Sequence, residues 1–111
     1  MNIMTIDKSK IPYEFQMEIL GKIWYFVIKH HKFSDKIRID LLDEERNFIV
    51  NDWTCKQGVP LFYPYMQDEN GNVNQEMPQA YLTFLSVDGK YYDVTFDNLE
   101  TNLFLAVEYV I

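Results

Sequence analysis

The residues with reactive side chains are few, and their spacing argues against most chemistries. His30 and His31 are adjacent within an extended run, so successive side chains point to opposite faces and the pair cannot chelate one ion together. Cys55 is the only cysteine; a Cys-His nucleophile would need it beside His30 or His31 with a third orienting group, and nothing in the spacing brings them together. Within one chain it can form neither a disulfide nor a thiolate metal cluster. Asp43, Glu44 and Glu45 precede Arg46. Paired-carboxylate catalysis takes its two acids from different elements at set separations, so this cluster reads as a solvated turn. Asp68, Asn70 and Asn72 match the first three side-chain positions of an EF-hand calcium loop, but Val73 stands where that loop needs Gly and Gln79 where it needs Glu. A flexible polar loop is the better reading. No phosphate-cradling glycine loop, zincin helix or nucleophile elbow occurs. The expectation is therefore no catalytic residue, no cofactor and no metal.

What remains is the aromatic cluster Trp53, Phe62, Tyr63 and Tyr65. Tyr and Trp are enriched where proteins meet, so this group is the candidate partner interface. A ligand-stacking platform for a sugar or small molecule is the alternative.

The elements that must position these groups are strands. Tyr13, Phe15, Met17 and Ile19 alternate with Glu14, Gln16 and Glu18, the pattern of a half-buried strand. Leu20-Gly21-Lys22 turns the chain, and Ile23 to Ile28 returns with apolar residues on both faces, predicting a strand covered on both sides. Ile37, Ile39 and Leu41 mark a third strand and Asn47 to Asn51 a short fourth, joined by the Asp43–Arg46 turn. Residues 52–78 form a Pro- and Gly-punctuated connection in which Val59 to Tyr65 is at most an irregular edge strand. Gln67 to Met77 is a polar excursion centred on Asn70-Gly71. Ala80 to Val87 predicts a strand; Asp88-Gly89 predicts a two-residue hairpin turn with Lys90 to Phe96 returning. Thr101 to Val110 closes the chain, with Leu103, Leu105, Val107 and Tyr109 on one face. Residues 1–10 read as a polar arm, frayed or docked on a neighbour, and 11–111 as a single β domain. The fold class is all-β: a small antiparallel sandwich or barrel of about seven or eight strands.

Composition narrows the function classes. The net charge is −7, and residues 51–111 hold only Lys56 and Lys90 against nine acids, whereas residues 1–50 balance eight against eight. Nucleic-acid binding draws on basic side chains that release counterions, so no direct nucleic-acid binding is expected. No apolar run reaches the roughly 18 residues of a membrane span. The amino terminus lacks the features of a signal peptide, which predicts synthesis in the cytoplasm.

Three stretches carry a family resemblance: IPYEFQMEILGKIWYFVI from Ile11, IRIDLLDEERNFIVN followed by GVPLF, and VTFDNLETNLFLAVEY. In order and spacing, from Ile11 to Tyr109, they resemble the phage baseplate plug family of contractile-tail phages and phage-like particles. Ile11-Pro12-Tyr13, Asp40-Leu41 with Asp43, and Phe96-Asp97-Asn98-Leu99 are the most distinctive pieces. The Gln67 to Met77 excursion and Trp53-Thr54-Cys55 depart from the family pattern. The resemblance implies a non-enzymatic structural protein of the virion tail baseplate, made in the host bacterial cytoplasm. It implies a place near the central hub, in several copies, with other baseplate, hub, tail-tube or spike proteins as partners.

Overall fold

The computed structural model describes residues 2–110, which form seven strands: β1 (Asn2–Met4), β2 (Tyr13–Ile19), β3 (Lys22–His31), β4 (Lys36–Leu42), β5 (Phe48–Thr54), β6 (Ala80–Ser86) and β7 (Leu103–Tyr109). They make two antiparallel sheets, one of four strands in the order β2-β3-β4-β5 and one of three in the order β1-β7-β6. The fold is thus all-β and two-sheeted, and it is not a closed barrel.

One hydrophobic cluster joins the sheets. Trp24, Phe26 and Ile28 of β3 and Ile37, Ile39 and Leu41 of β4 meet Leu82 and Phe84 of β6 and Leu103, Leu105 and Val107 of β7. The register explains the choice. Phe26 pairs with Leu41 and Ile28 with Ile39, so one face of the four-stranded sheet is apolar across neighbouring strands. Phe15 stacks on Phe26 from the next strand, with ring centroids 5.1 Å apart.

The β2–β3 turn is the tightest. Ile19 pairs directly with Lys22, leaving Leu20 and Gly21 as a two-residue loop with φ of 48° and 83°. That geometry matches the twist of the strands it joins and favours Gly at the second position.

Several expectations are corrected. The outer face of β3 carries no second layer: Ile23, Tyr25 and Val27 are only half-buried, and the Arg46 guanidinium lies over the Tyr25 ring at 4.5 Å. Long polar side chains do there what a packed layer was expected to do. Asp88-Gly89 makes no hairpin. Residues 90–96 are not a strand, and β6 pairs instead with β7. Asp88 still turns the chain by accepting the Lys90 N–H at 3.0 Å, and Val94 and Leu99 insert into the core instead of continuing a sheet. Val59 to Tyr65 is no strand either, although Gly58 and Leu61 donate N–H groups to Phe84 and Leu82 (2.9 and 2.7 Å), capping the outer edge of β6. On β7, Leu103, Leu105 and Val107 are buried while Tyr109 stays exposed. The amino-terminal residues pair with their own chain: Ile3 of β1 stands opposite Ala106, and Ile6 is buried.

Candidate functional site

Trp53 owes its position to a β-bulge. On β4, Ile39 and Leu41 are two residues apart and both point into the core; on β5 their partners are Trp53 and Val50, three apart. Strict alternation would send one of them outward. An extra residue at Asn51–Asp52 restores the inward direction, with Asp52 at φ 59°. A charged network on the outer face holds that kink. Asp40, only 5% exposed, accepts the Asp52 N–H at 2.7 Å and pairs with Lys29 at 3.0 Å. Lys29 also donates to the Asp52 carboxylate, which that bond holds below its usual range. Burial pulls the Lys29 pKa down, but hydrogen bonds to both carboxylates outweigh it and the net direction is up.

Phe62 and Tyr65 come from the connection. Residues Tyr63–Tyr65 form one 3-10 turn with Pro64 inside it, a placement that suits proline's fixed φ. Phe62 precedes the turn at φ 62° and is buried against Phe26 and Trp53. Of the four aromatic candidates, therefore, Phe62 is a core residue that supports the others from beneath. Trp53 is half-buried, and Tyr63 and Tyr65 are about half exposed. Trp53 meets Tyr65 edge to face, centroids 6.5 Å apart at 74°. The two rings do not present parallel faces, as a stacking platform would. Around them Val50, Asn51, Thr54 and Val59 complete a concave surface of about 470 Å³; Tyr63 lies outside its lining. The Trp53 indole N–H is buried without a partner among the described residues.

The remaining candidates separate. His30 pairs with Asp35 at 2.7 Å, and His31 bonds Ser34 at 3.1 Å. Cys55 is buried, which pushes its thiol pKa upward and away from the nucleophilic thiolate. Asp43 accepts the N–H groups of Glu45 and Asn47, and its pKa is lowered chiefly by the Asn47 bond. Asp68 likewise turns its carboxylate to its own loop, accepting from Asn70 and Asn72 at 2.9 Å each. Among the described residues, no group of three or more His, Cys, Asp or Glu is placed to hold a metal ion.

A profile of the family described as cyanophage baseplate Pam3 plug gp18 matches residues 1–109. The chain belongs to this plug family. No curated protein matches it significantly. The family match spans both sheets and the connection that carries Tyr63 and Tyr65, so the aromatic edge is part of the plug domain and no appendage to it. Two surface features of this plug-family chain carry no motif in its sequence. Phe33, at the tip of the β3–β4 turn, is fully exposed; its signal was an aromatic residue inside the polar stretch Lys32 to Lys36. The second is a cavity at the opposite end, between the β2–β3 and β4–β5 turns. It is assembled from three separated stretches, and no single one of them announces it. Among the described residues, no helix is long and apolar enough to cross a membrane.

Proposed function

We propose that this chain is a structural component of a contractile-tail baseplate, seated near the central hub and spike and held there by protein–protein contacts. The family match over residues 1–109 carries the reading. The family is one of structural plugs, so the chain acts by occupying a place in the assembly and not by turning over a substrate.

The contact surface we assign is the edge formed by Trp53, Tyr63 and Tyr65, with Phe62 as its buried support. Half-exposed aromatic rings on a rigid base lose little conformational entropy on docking and bury large area, which is why they dominate interface energetics. The neighbouring strand β5 ends its sheet and offers backbone groups for strand addition.

Deleting the gene and imaging the particles by electron microscopy tests the role. Tails without a properly closed baseplate, and loss of infectivity, are the expected result; normal infectious tails overturn the reading. Complementation with Trp53→Ala and Tyr65→Ala then tests the surface. The variant chain should be present in lysates but missing from purified particles by mass spectrometry. Full incorporation would move the contact elsewhere on the molecule.

A further inference from the structure

The two ends of the four-stranded sheet are complementary in shape and charge. At one end the β3–β4 turn projects Phe33, whose side chain is fully exposed, between the exposed Lys32 and Lys36. The one carboxylate in that turn, Asp35, is committed to His30 at 2.7 Å and to the Phe96 N–H at 3.3 Å. The two lysines are left without an anion in their own turn. At the other end a cavity of about 370 Å³ opens over Ile23, Trp24 and Ile49, with Glu45 and Glu76 on its rim. Asp43 and Glu44 also line it, although Asp43 bonds its own loop and Glu44 accepts the Ile23 N–H at 3.0 Å. Among the described residues, Lys22 is the only cation that lines it.

We propose that Phe33 of one copy, flanked by Lys32 and Lys36, seats in this acid-rimmed cavity of a second copy. In volume the cavity exceeds the roughly 150 Å³ that admits benzene, and Ile23, Trp24 and Ile49 are the lining residues that would meet the ring. The lysines then reach Glu45 and Glu76 across the rim, so that each charged end loses its excess. Phe33 cannot fill its own cavity. β3 runs from Lys22 at the cavity to His31 at the turn, and strands rise about 3.3 Å per residue, so knob and hole lie close to 30 Å apart. The contact joins different surfaces of the two copies, which makes it a head-to-tail interface that propagates into a ring or a row and does not stop at a symmetric dimer. It concerns copy against copy, and it stands or falls independently of the baseplate reading.

Sedimentation of the purified full-length chain over a concentration series, at low and high salt, tests this. Species larger than a dimer should appear as concentration rises and weaken with salt, which screens the lysine–glutamate pairs. Phe33→Ser should weaken self-association at least about thirtyfold, the effect of losing a central anchor. Its side chain touches solvent only, so circular dichroism should be unchanged. The double variant Glu45→Lys/Glu76→Lys should be equally monomeric. Mixing the two variants should yield a heterodimer and nothing larger, because one good knob and one good hole remain. A wild-type chain that stays monomeric up to its solubility limit overturns the proposal and leaves the cavity to a partner of different sequence. So does a Phe33→Ser chain that associates as tightly as the wild type, or a mixture that fails to pair.

Discussion

The two sheets are assembled in opposite ways. In the four-stranded sheet every strand pairs with its neighbour in the chain, through the two-residue loop at Leu20–Gly21 and the short turns at residues 32–35 and 43–47. The three-stranded sheet is non-local. Asn2 lies opposite Val107, and β6 reaches β7 only after residues 87–102 have wandered across the molecule. The first sheet therefore closes short loops as it forms, whereas the second must close the longer connection of residues 87–102 to pair β6 with β7 and bring the two ends of the chain together to add β1. The aromatic edge sits where the two meet. Trp53 belongs to the last strand of the local sheet, and Phe62 and Tyr65 to the connection leading to the non-local one. The site is thus braced from one side and depends on completion of the fold from the other.

Core truncation breaks this comparison most directly. Phe26 in the local sheet and Phe84 in the non-local sheet are both fully buried in the same cluster, so Phe26→Ala and Phe84→Ala should each cost about 3–5 kcal/mol. Against a typical domain stability of about 5–15 kcal/mol, either change brings the chain close to unfolding. Both tryptophans lie on the local sheet, Trp24 on β3 and Trp53 on β5. Their fluorescence can be compared with far-ultraviolet circular dichroism during urea unfolding. Because one cluster joins the sheets, the two probes should give the same midpoint in both variants. A Phe84→Ala chain whose tryptophan signal outlasts its dichroism would show the local sheet holding alone.

The next effect isolates the bulge. Asp40→Ala removes the acceptor of the Asp52 N–H and one of the two carboxylates on Lys29. Leaving a fully buried donor unmet costs about 1–3 kcal/mol; this one is part-buried, and Lys29 can still turn to Asp52. A loss of about 2 kcal/mol is expected, with a red shift of Trp53 emission as the kink relaxes and the indole meets water. Asp40→Asn, which keeps an acceptor oxygen, should recover much of it. Equal losses in the two variants would show that the charge, and not the acceptor, holds the bulge.

This contrast also explains what could be read from the residues alone. Alternation from Tyr13 to Ile19 and at Ile37, Ile39 and Leu41 identifies strands because each partner is the next segment along. The same reasoning assigns a hairpin to Asp88-Gly89, where the turn chemistry is genuine but the following residues, Lys90 to Phe96, have no strand to join: β7 already occupies that side of β6. The bulge was illegible for a similar reason. Asn51-Asp52 looks like the end of a strand, and only the facing register of β4 shows that the strand continues to Thr54. Phe62 could not be told from Tyr63 and Tyr65 by type. Its burial follows from a positive φ just before the Pro64 turn, which turns one ring inward and leaves the other two near the surface.

Acid should act on the turns of the local sheet before it reaches the core. Asp35, Asp43 and Asp52 are each held below the usual carboxylate value of 3.8, by the His30 ring, the Asn47 N–H and the Lys29 ammonium respectively. All three lie in or beside β3–β5, and Asp88, lowered by the Tyr92 hydroxyl, is their counterpart after β6. As pH falls, the unfolded chain takes up these protons first, so it binds more of them than the folded chain near and below 3.8. The stabilisation is complete well above that value and is lost as pH drops through the lower folded values. Thermal melts should show little dependence from these groups above about pH 5 and a decline below about pH 4. Asp43→Asn should flatten the decline slightly, since that variant no longer has the proton to gain. An unchanged acid profile in this variant would remove the turn from the list of acid-sensitive points.

The smallest expected effect is a gain, and it tests whether the local sheet is built for stability alone. Leu20 holds φ 48° in the β2–β3 turn while its side chain is 65% exposed. A left-handed conformation costs an L-residue with a branched side chain about 1–2 kcal/mol, and Asn tolerates it far better. Leu20→Asn should therefore raise stability by roughly 0.5–1 kcal/mol, read as a higher urea midpoint with an unchanged slope. Leucine also touches the small cavity lined by Trp24 and Met77, and that contact opposes the gain. If the variant proves less stable, the contact outweighs the strain, and the turn is held by packing from the polar excursion that carries Met77. If it proves more stable, the leucine is maintained against the preference of its own backbone, and a requirement outside the folded monomer must account for it.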